Sequence, residues 1–164
     1  MRNVGNMTID TPSDREIVMT RVFDAPRELV FDAFTKPELV SRWLTGPDGW
    51  TMPVCEIDLR PGGRYRYVWR NAKGKEMSAS GVFREIAPPE RIVATERFDD
   101  PWYEGEALDT TTFVESEGKT KVSLAVQYDS QETRDMVLKT GMETGVAASY
   151  DRLAAILASL PASK

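Results

Sequence analysis

The side chains available for chemistry in this chain are carboxyls and phenols, because its 164 residues include no histidine and one cysteine, Cys55. Zinc, copper and non-haem iron sites of the usual kinds therefore lack ligands, and neither a Ser-His-Asp triad nor a Cys-His pair can be assembled. Acid–base work by Asp, Glu, Tyr or Lys stays open. Glu96 and Asp109 stand in strand-like runs on either side of an aromatic segment, and Glu56 and Glu76 stand in others. Any of these carboxyls that points inward without a partner would hold its proton to higher pH and become an acid or a ligand anchor, with Tyr65, Tyr67 or Tyr150 as proton donor. The arginines Arg64, Arg66 and Arg70 are expected as solvated partners of nearby carboxylates rather than as an anion-binding stripe. Gly118-Lys119-Thr120 resembles the end of a phosphate-binding loop. Phe113, however, stands where the first glycine is required, and the tripeptide falls between two strands, so no nucleotide site is expected there.

Two loops carry large aromatics, Gly46 to Trp50 and Phe98-Asp99-Asp100-Pro101-Trp102-Tyr103. Such rings are costly to leave in water, so they either cap the core or close over a bound molecule, and both readings stand.

The elements that must position these groups follow from periodicity. Residues 1–14 read as a loose polar tail. Arg15 to Phe23 reads as a first strand, and Asp24-Ala25-Pro26 starts a helix that carries Leu29, Val30, Ala33 and Phe34 on one face. A capping box of Thr35 and Glu38 would start a second short helix from Lys36 to Leu44. From Trp50 to Tyr128 the chain reads as a six-strand meander, with turns at Arg60–Gly63, Asn71–Gly74, Ala87–Glu90 and Ser116–Gly118. Tyr65, Tyr67 and Trp69 alternate with Arg64, Arg66 and Arg70, as Val122, Leu124, Val126 and Tyr128 alternate with polar neighbours. Ser130 to Leu160 reads as one long helix whose stripe is Met142, Val146, Tyr150, Leu153, Leu157 and Leu160. Gly141 and Gly145 interrupt it at about 1 kcal/mol each, a cost expected to reflect close approach of another backbone or room for a ligand.

This order predicts an α+β helix-grip fold: a curved antiparallel sheet of six to seven strands around a long C-terminal helix, with two short helices after the first strand. One domain over 15–160 is expected, with tails at 1–14 and 161–164. The net charge of −5 and the pI near 4.9 argue against general affinity for nucleic acid. The lone cysteine, the polar start and charges through the last helix point to a reduced cytoplasmic setting without a membrane span.

The stretches FDAPRELVFDAFTKPELVSRWL, GPDGW, DLRPGGRYRY, SGVFREIAPPERIVATERF, TTTFVE and GMETGVAASYDRLAAIL carry a resemblance spanning residues 15–160. They resemble the START-like superfamily, also called SRPBCC or birch-pollen-allergen-like, in its branch related to the activator of the heat-shock ATPase. The resemblance implies a cavity between sheet and last helix that holds a small hydrophobic molecule. Carried onto this chain, its wall would be Trp43, Trp50, Met52, Tyr65, Tyr67, Trp69, Phe83, Phe98, Phe113, Met142, Val146 and Tyr150. Relatives often place tryptophan where Val146 stands, which implies a roomier cavity at that end. Three functions follow: binding of a small hydrophobic or aromatic molecule without a cofactor, a co-chaperone-like interaction with a chaperone partner, and a cyclase, dehydratase or hydrolase using a cavity carboxyl and a tyrosine. The first is preferred, and catalysis is the least favoured. Oligomeric state is not legible.

Overall fold

Alternation with a period of two between Trp50 and Gln127 is realised as six consecutive antiparallel strands, because each buries one row of side chains and wets the other. The computed structural model describes residues 2–46, 48–98 and 106–160. In chain order the elements are β1 (Arg2–Val4), β2 (Met7–Asp10), β3 (Glu16–Phe23), α1 (Arg27–Thr35), α2 (Pro37–Trp43), β4 (Trp50–Ile57), β5 (Arg64–Asn71), β6 (Glu76–Ala87), β7 (Arg91–Phe98), β8 (Ala107–Ser116), β9 (Lys119–Gln127), α3 (Gln131–Lys139) and α4 (Met142–Ser159). The nine described strands form one antiparallel sheet in the order β1-β2-β3-β9-β8-β7-β6-β5-β4. The fold is α+β and of helix-grip type: α4 lies on the sheet with α1 and α2. Its Tyr150 ring meets Phe23 of β3 edge-on at 5.6 Å.

Three elements differ from expectation. Residues 2–10 form a hairpin rather than a loose tail; β2 pairs with β3, Ile9 opposite Met19, and its Met7 and Ile9 are buried in the core. Four residues of alternation were too short a signal to distinguish from a polar tail. The last helix is two helices, broken at Gly141, whose φ of +72° is left-handed. No atom lies within 4 Å of where a Cβ would stand on Gly141, so backbone conformation rather than close packing calls for glycine there. The capping box of α2 does not form: the N-cap is Lys36, without a side-chain cap, while Thr35 Oγ1 donates to Phe31 O at 2.9 Å. Pro37, in the first turn of α2, supplies the helical φ at a position whose N–H would be orphaned anyway.

Helix α4 buries Tyr150, Leu153 and Leu157 as the stripe requires, with Met142, Val146 and Leu160 half-buried against the core. It also buries two polar residues. Glu143 receives a bond from Arg2 Nη2 at 2.7 Å, and Ser149 Oγ accepts from Gly46 N at 2.9 Å. Arg152 Nη1 donates to Gly46 O at 2.5 Å and its Nη2 to exposed Asp48 at 2.8 Å, so α4 holds the loop between α2 and β4. The second aromatic loop lies outside the described residues except for Phe98.

Candidate functional site

A partly enclosed cavity of about 170 Å³ lies between the sheet and the helices. The helices contribute Phe34 from α1, Val40 and Trp43 from α2, Leu44 just after it and Tyr150 from α4; the sheet contributes Tyr65 and Tyr67, Phe83, Ile92, Ala94, Glu96, Asp109, Thr111 and Leu124. Each wall follows from local structure. Tyr65 and Tyr67 share a face of β5, their rings 4.9 Å apart, and Tyr65 is followed by Phe83 at 5.6 Å. Across from them Phe34 packs on Trp43 at 4.8 Å, and Trp43 lies 6.0 Å from Tyr150. Two indoles pin the helical wall: Trp43 Nε1 donates to Ala33 O at 2.8 Å and Trp69 Nε1 to Leu44 O at 2.7 Å. The sheet wall is drawn in at Gly81. There a Cβ would fall 1.8 Å from Thr95 O, the atom to which Tyr65 Oη donates at 2.6 Å.

The polar end is made by Glu96 and Asp109. Ala94 faces Asp109 and Glu96 faces Ala107 across β7 and β8, so the two carboxyls are diagonal neighbours on one face. Burial raises the pKa of Glu96 from its ordinary value to about 7, with a bond from the Asp109 side chain lowering it in part. Burial also raises Asp109 well above the usual carboxylate range, and the Glu96 charge and the bond to Glu96 push it further. The two carboxyls thus titrate as a pair that shares a proton. Asp109 Oδ1 is buried with no hydrogen-bond partner. The Tyr67 phenol is raised by burial, then by Cys55, Glu96 and Asp109; that of Tyr150 is raised by burial and by Asp109, against the lowering effect of Arg21. Both phenols stay protonated. Neither lysine nor arginine is among the lining residues, and no cluster of three or more Cys, Asp or Glu among the described residues has metal-binding geometry.

Of the twelve residues expected on a pocket wall, the structure brings Trp43, Tyr65, Tyr67, Phe83 and Tyr150 to this cavity. Phe113 is buried in the core, edge-on to Phe31 and Phe34. Met142 and Val146 pack on the core beyond the cavity, so the residue expected to set its size does not line it. Trp50, Met52, Trp69 and Phe98 lie on strands but off the lining. Glu56 and Glu76 are exposed, and Glu76 accepts from Arg70 Nε at 2.9 Å. Gly118-Lys119-Thr120 turns from β8 into β9, and buried Thr120 Oγ1 donates to Ala25 O at 2.7 Å, which leaves no cradle for phosphate. Sequence reading missed Phe34, Val40, Leu44, Ile92, Ala94, Thr111 and Leu124 as wall residues. For β7, β8 and β9 the signal was present: their in-facing rows continue the alternation that was used for Leu124. Two larger hollows, about 490 and 580 Å³, are open and mainly polar surface grooves, with Tyr128 the one ring among their lining residues.

Residues 24–158 match the family described as activator of Hsp90 ATPase homolog 1-like protein. The chain belongs to this family. Within the START-like superfamily this is the branch related to the Hsp90 ATPase activator. No curated protein matches the chain. Among solved structures, a protein from Rhodobacter sphaeroides is similar at 32% identity and a TM-score of 0.88, over 94% of this chain and 99% of that one. A protein from Chromobacterium violaceum is similar at 30% identity and 0.78, over 88% and 98%. An HSP90 activator from Plasmodium falciparum is similar at 26% identity and 0.53, over 69% and 72%. No described helix is long and apolar enough to cross a membrane.

Proposed function

We propose that this member of the activator of Hsp90 ATPase homolog 1-like family is a cytoplasmic protein that binds a small apolar or aromatic molecule in the cavity beneath α4. The observation that carries the reading is the combination of an aromatic wall with one polar end, the usual build of a small-molecule site. The cavity is modest. An apolar engineered cavity of about 150 Å³ accepts benzene, so about 170 Å³ suits one ring with a small substituent. Titration of the ¹⁵N-labelled protein with toluene and benzyl alcohol tests it. Saturable shifts are expected for the amides of Ala94, Thr111 and Leu124; shifts absent there, or confined to the outer face of the sheet, would overturn the reading.

A second reading draws on the family description and on the Plasmodium relative named as an HSP90 activator. Here the chain would act through its surface on a chaperone ATPase. Raised ATP turnover of the Hsp90-type chaperone from the same host, on adding this protein, is the expected result; unchanged turnover under saturating protein would dismiss it.

A further inference from the structure

We propose that the cavity takes an organic cation: an ammonium group on a single ring or a compact carbon frame, its nitrogen at the Glu96–Asp109 end and its carbon body among the rings of Phe34, Trp43, Tyr65, Tyr67 and Tyr150. The proposal rests on the preceding reading that the cavity holds a small molecule, and it specifies the chemical class.

Three independent features converge on a cation. First, the two carboxyls stand diagonally on one face of β7 and β8, Asp109 Oδ1 is buried without a partner, and no lysine or arginine lines the cavity to meet their charge. A natural structure rarely leaves such an oxygen unsatisfied without a reason. Second, the rest of the wall is a box of aromatic faces and edges, with ring centroids 4.8 to 6.2 Å apart along Phe34, Trp43, Tyr150 and along Tyr65 and Tyr67. Such rings attract a cation through their quadrupole and shield it from water. Third, about 170 Å³ excludes lipids and polyketides but accommodates a monocyclic amine of roughly eight heavy atoms.

Other ligand classes fit less well. An anion would meet both carboxyls without a counter-charge. A neutral alcohol satisfies one oxygen but leaves the pair's charge to a proton. A divalent metal lacks the third protein ligand, since no such cluster occurs among the described residues.

In the empty protein the shared proton does the cation's work. An entering ammonium replaces a proton on the pair, so its affinity rises with pH through the range in which Glu96 ionises and flattens above it. The groups facing the pair are the Tyr67 phenol from β5 with Cys55 of β4 behind it, and the Tyr150 phenol from α4 with Arg21 of β3 beyond it. Neither phenol ionises in this range. Arg21 is engaged with Asp151 at 2.6 Å, so Glu96 and Asp109 set the profile.

The test compares benzylammonium, benzyl alcohol and toluene on the whole protein, by calorimetry and amide shifts, between pH 5.5 and 8. The expected result is binding of all three at the Ala94, Thr111 and Leu124 amides. Benzylammonium should bind about tenfold tighter than benzyl alcohol at pH 8, as expected for a desolvated cation on aromatic rings. Its affinity should weaken about tenfold for each pH unit below 7, while that of the alcohol stays level. In the double variant Glu96→Gln, Asp109→Asn, checked for native amide dispersion, the amine-to-alcohol ratio should fall to about one. Should toluene and benzyl alcohol bind with the amine equal or weaker, or should the ratio survive both substitutions, the cation assignment is overturned while small-molecule binding stands. Should none of the three perturb the cavity, both readings fall.

Discussion

Glu96 and Asp109 make this protein unusual at the scale of the residue, since two half-buried carboxyls share one end of the cavity and desolvation there raises the pKa of both. A raised carboxyl pKa has a definite sign. Below the unfolded pKa near 4.5 both states carry the proton; as pH rises to about 7 the unfolded chain ionises freely while the fold resists, so stability is lost over that window. For Glu96 the loss is on the order of 3 kcal/mol. Urea midpoints at pH 5 and pH 8 should therefore differ more in the wild type than in Asp109→Asn, where the remaining carboxyl accepts a fixed amide donor. An equal pH difference in both proteins would count against the shared-proton arrangement. Cys55 behaves alike: burial, then the Glu38 charge, push its thiol up to about 11, so alkylation at pH 8 should run far slower than for an exposed thiol. Normal alkylation kinetics would show that β4 opens readily. The sequence exposed Glu96 and Asp109 only as two of four strand carboxyls. Their pairing depends on the register of β7 against β8, which side-chain types along one strand do not encode. In-facing rings such as Tyr65 and Tyr67 were legible from alternation, whereas Trp69, on the same face of β5, lies past the edge of the cavity.

Elements that bend or break were harder to read than elements that repeat. The β-meander and its four turns follow from alternation and from Gly, Pro and Asn placement, and each turn falls where those residues stand. The break between α3 and α4 was hidden because apolar spacing runs through Gly141, and periodicity carries no information about a single left-handed residue. Gly81 was equally silent. It permits β6 to approach Thr95 closely enough for Tyr65 to bond the Thr95 carbonyl, which fixes one wall of the cavity. In Gly81→Ala the new methyl would meet backbone oxygen rather than a flexible side chain, so the strands must part. A loss of about 3 kcal/mol is expected in urea unfolding, with weaker probe binding in the cavity. Gly141→Ala meets no neighbour and should cost only the left-handed backbone term, about 1 kcal/mol, leaving the cavity unaffected. Equal effects of the two substitutions would contradict the distinction between close approach and backbone conformation.

At the scale of the whole molecule, the sheet gains an edge that composition did not disclose. The β1–β2 hairpin extends it beyond β3, buries Met7 completely and brings Arg2 to α4, whose Glu143 side chain is 8% exposed against 57% for Arg2. A carboxylate buried on α4 makes sense only with that partner, and its second oxygen, Oε2, has no hydrogen bond. The hairpin and the final helix therefore depend on each other across nearly the full length of the chain. Removing the cation alone leaves a buried charge unmet, which costs more than removing both groups. Arg2→Ala should destabilise by about 1–2 kcal/mol, and adding Glu143→Gln should restore much of that loss. Met7→Ala, which opens a void in the core, should cost about 3 kcal/mol whatever stands at residue 143. Urea unfolding of the four proteins in the Arg2–Glu143 cycle measures the coupling directly. A coupling near zero would mean that the hairpin is held by Met7 and Ile9 alone and that α4 keeps its place without it.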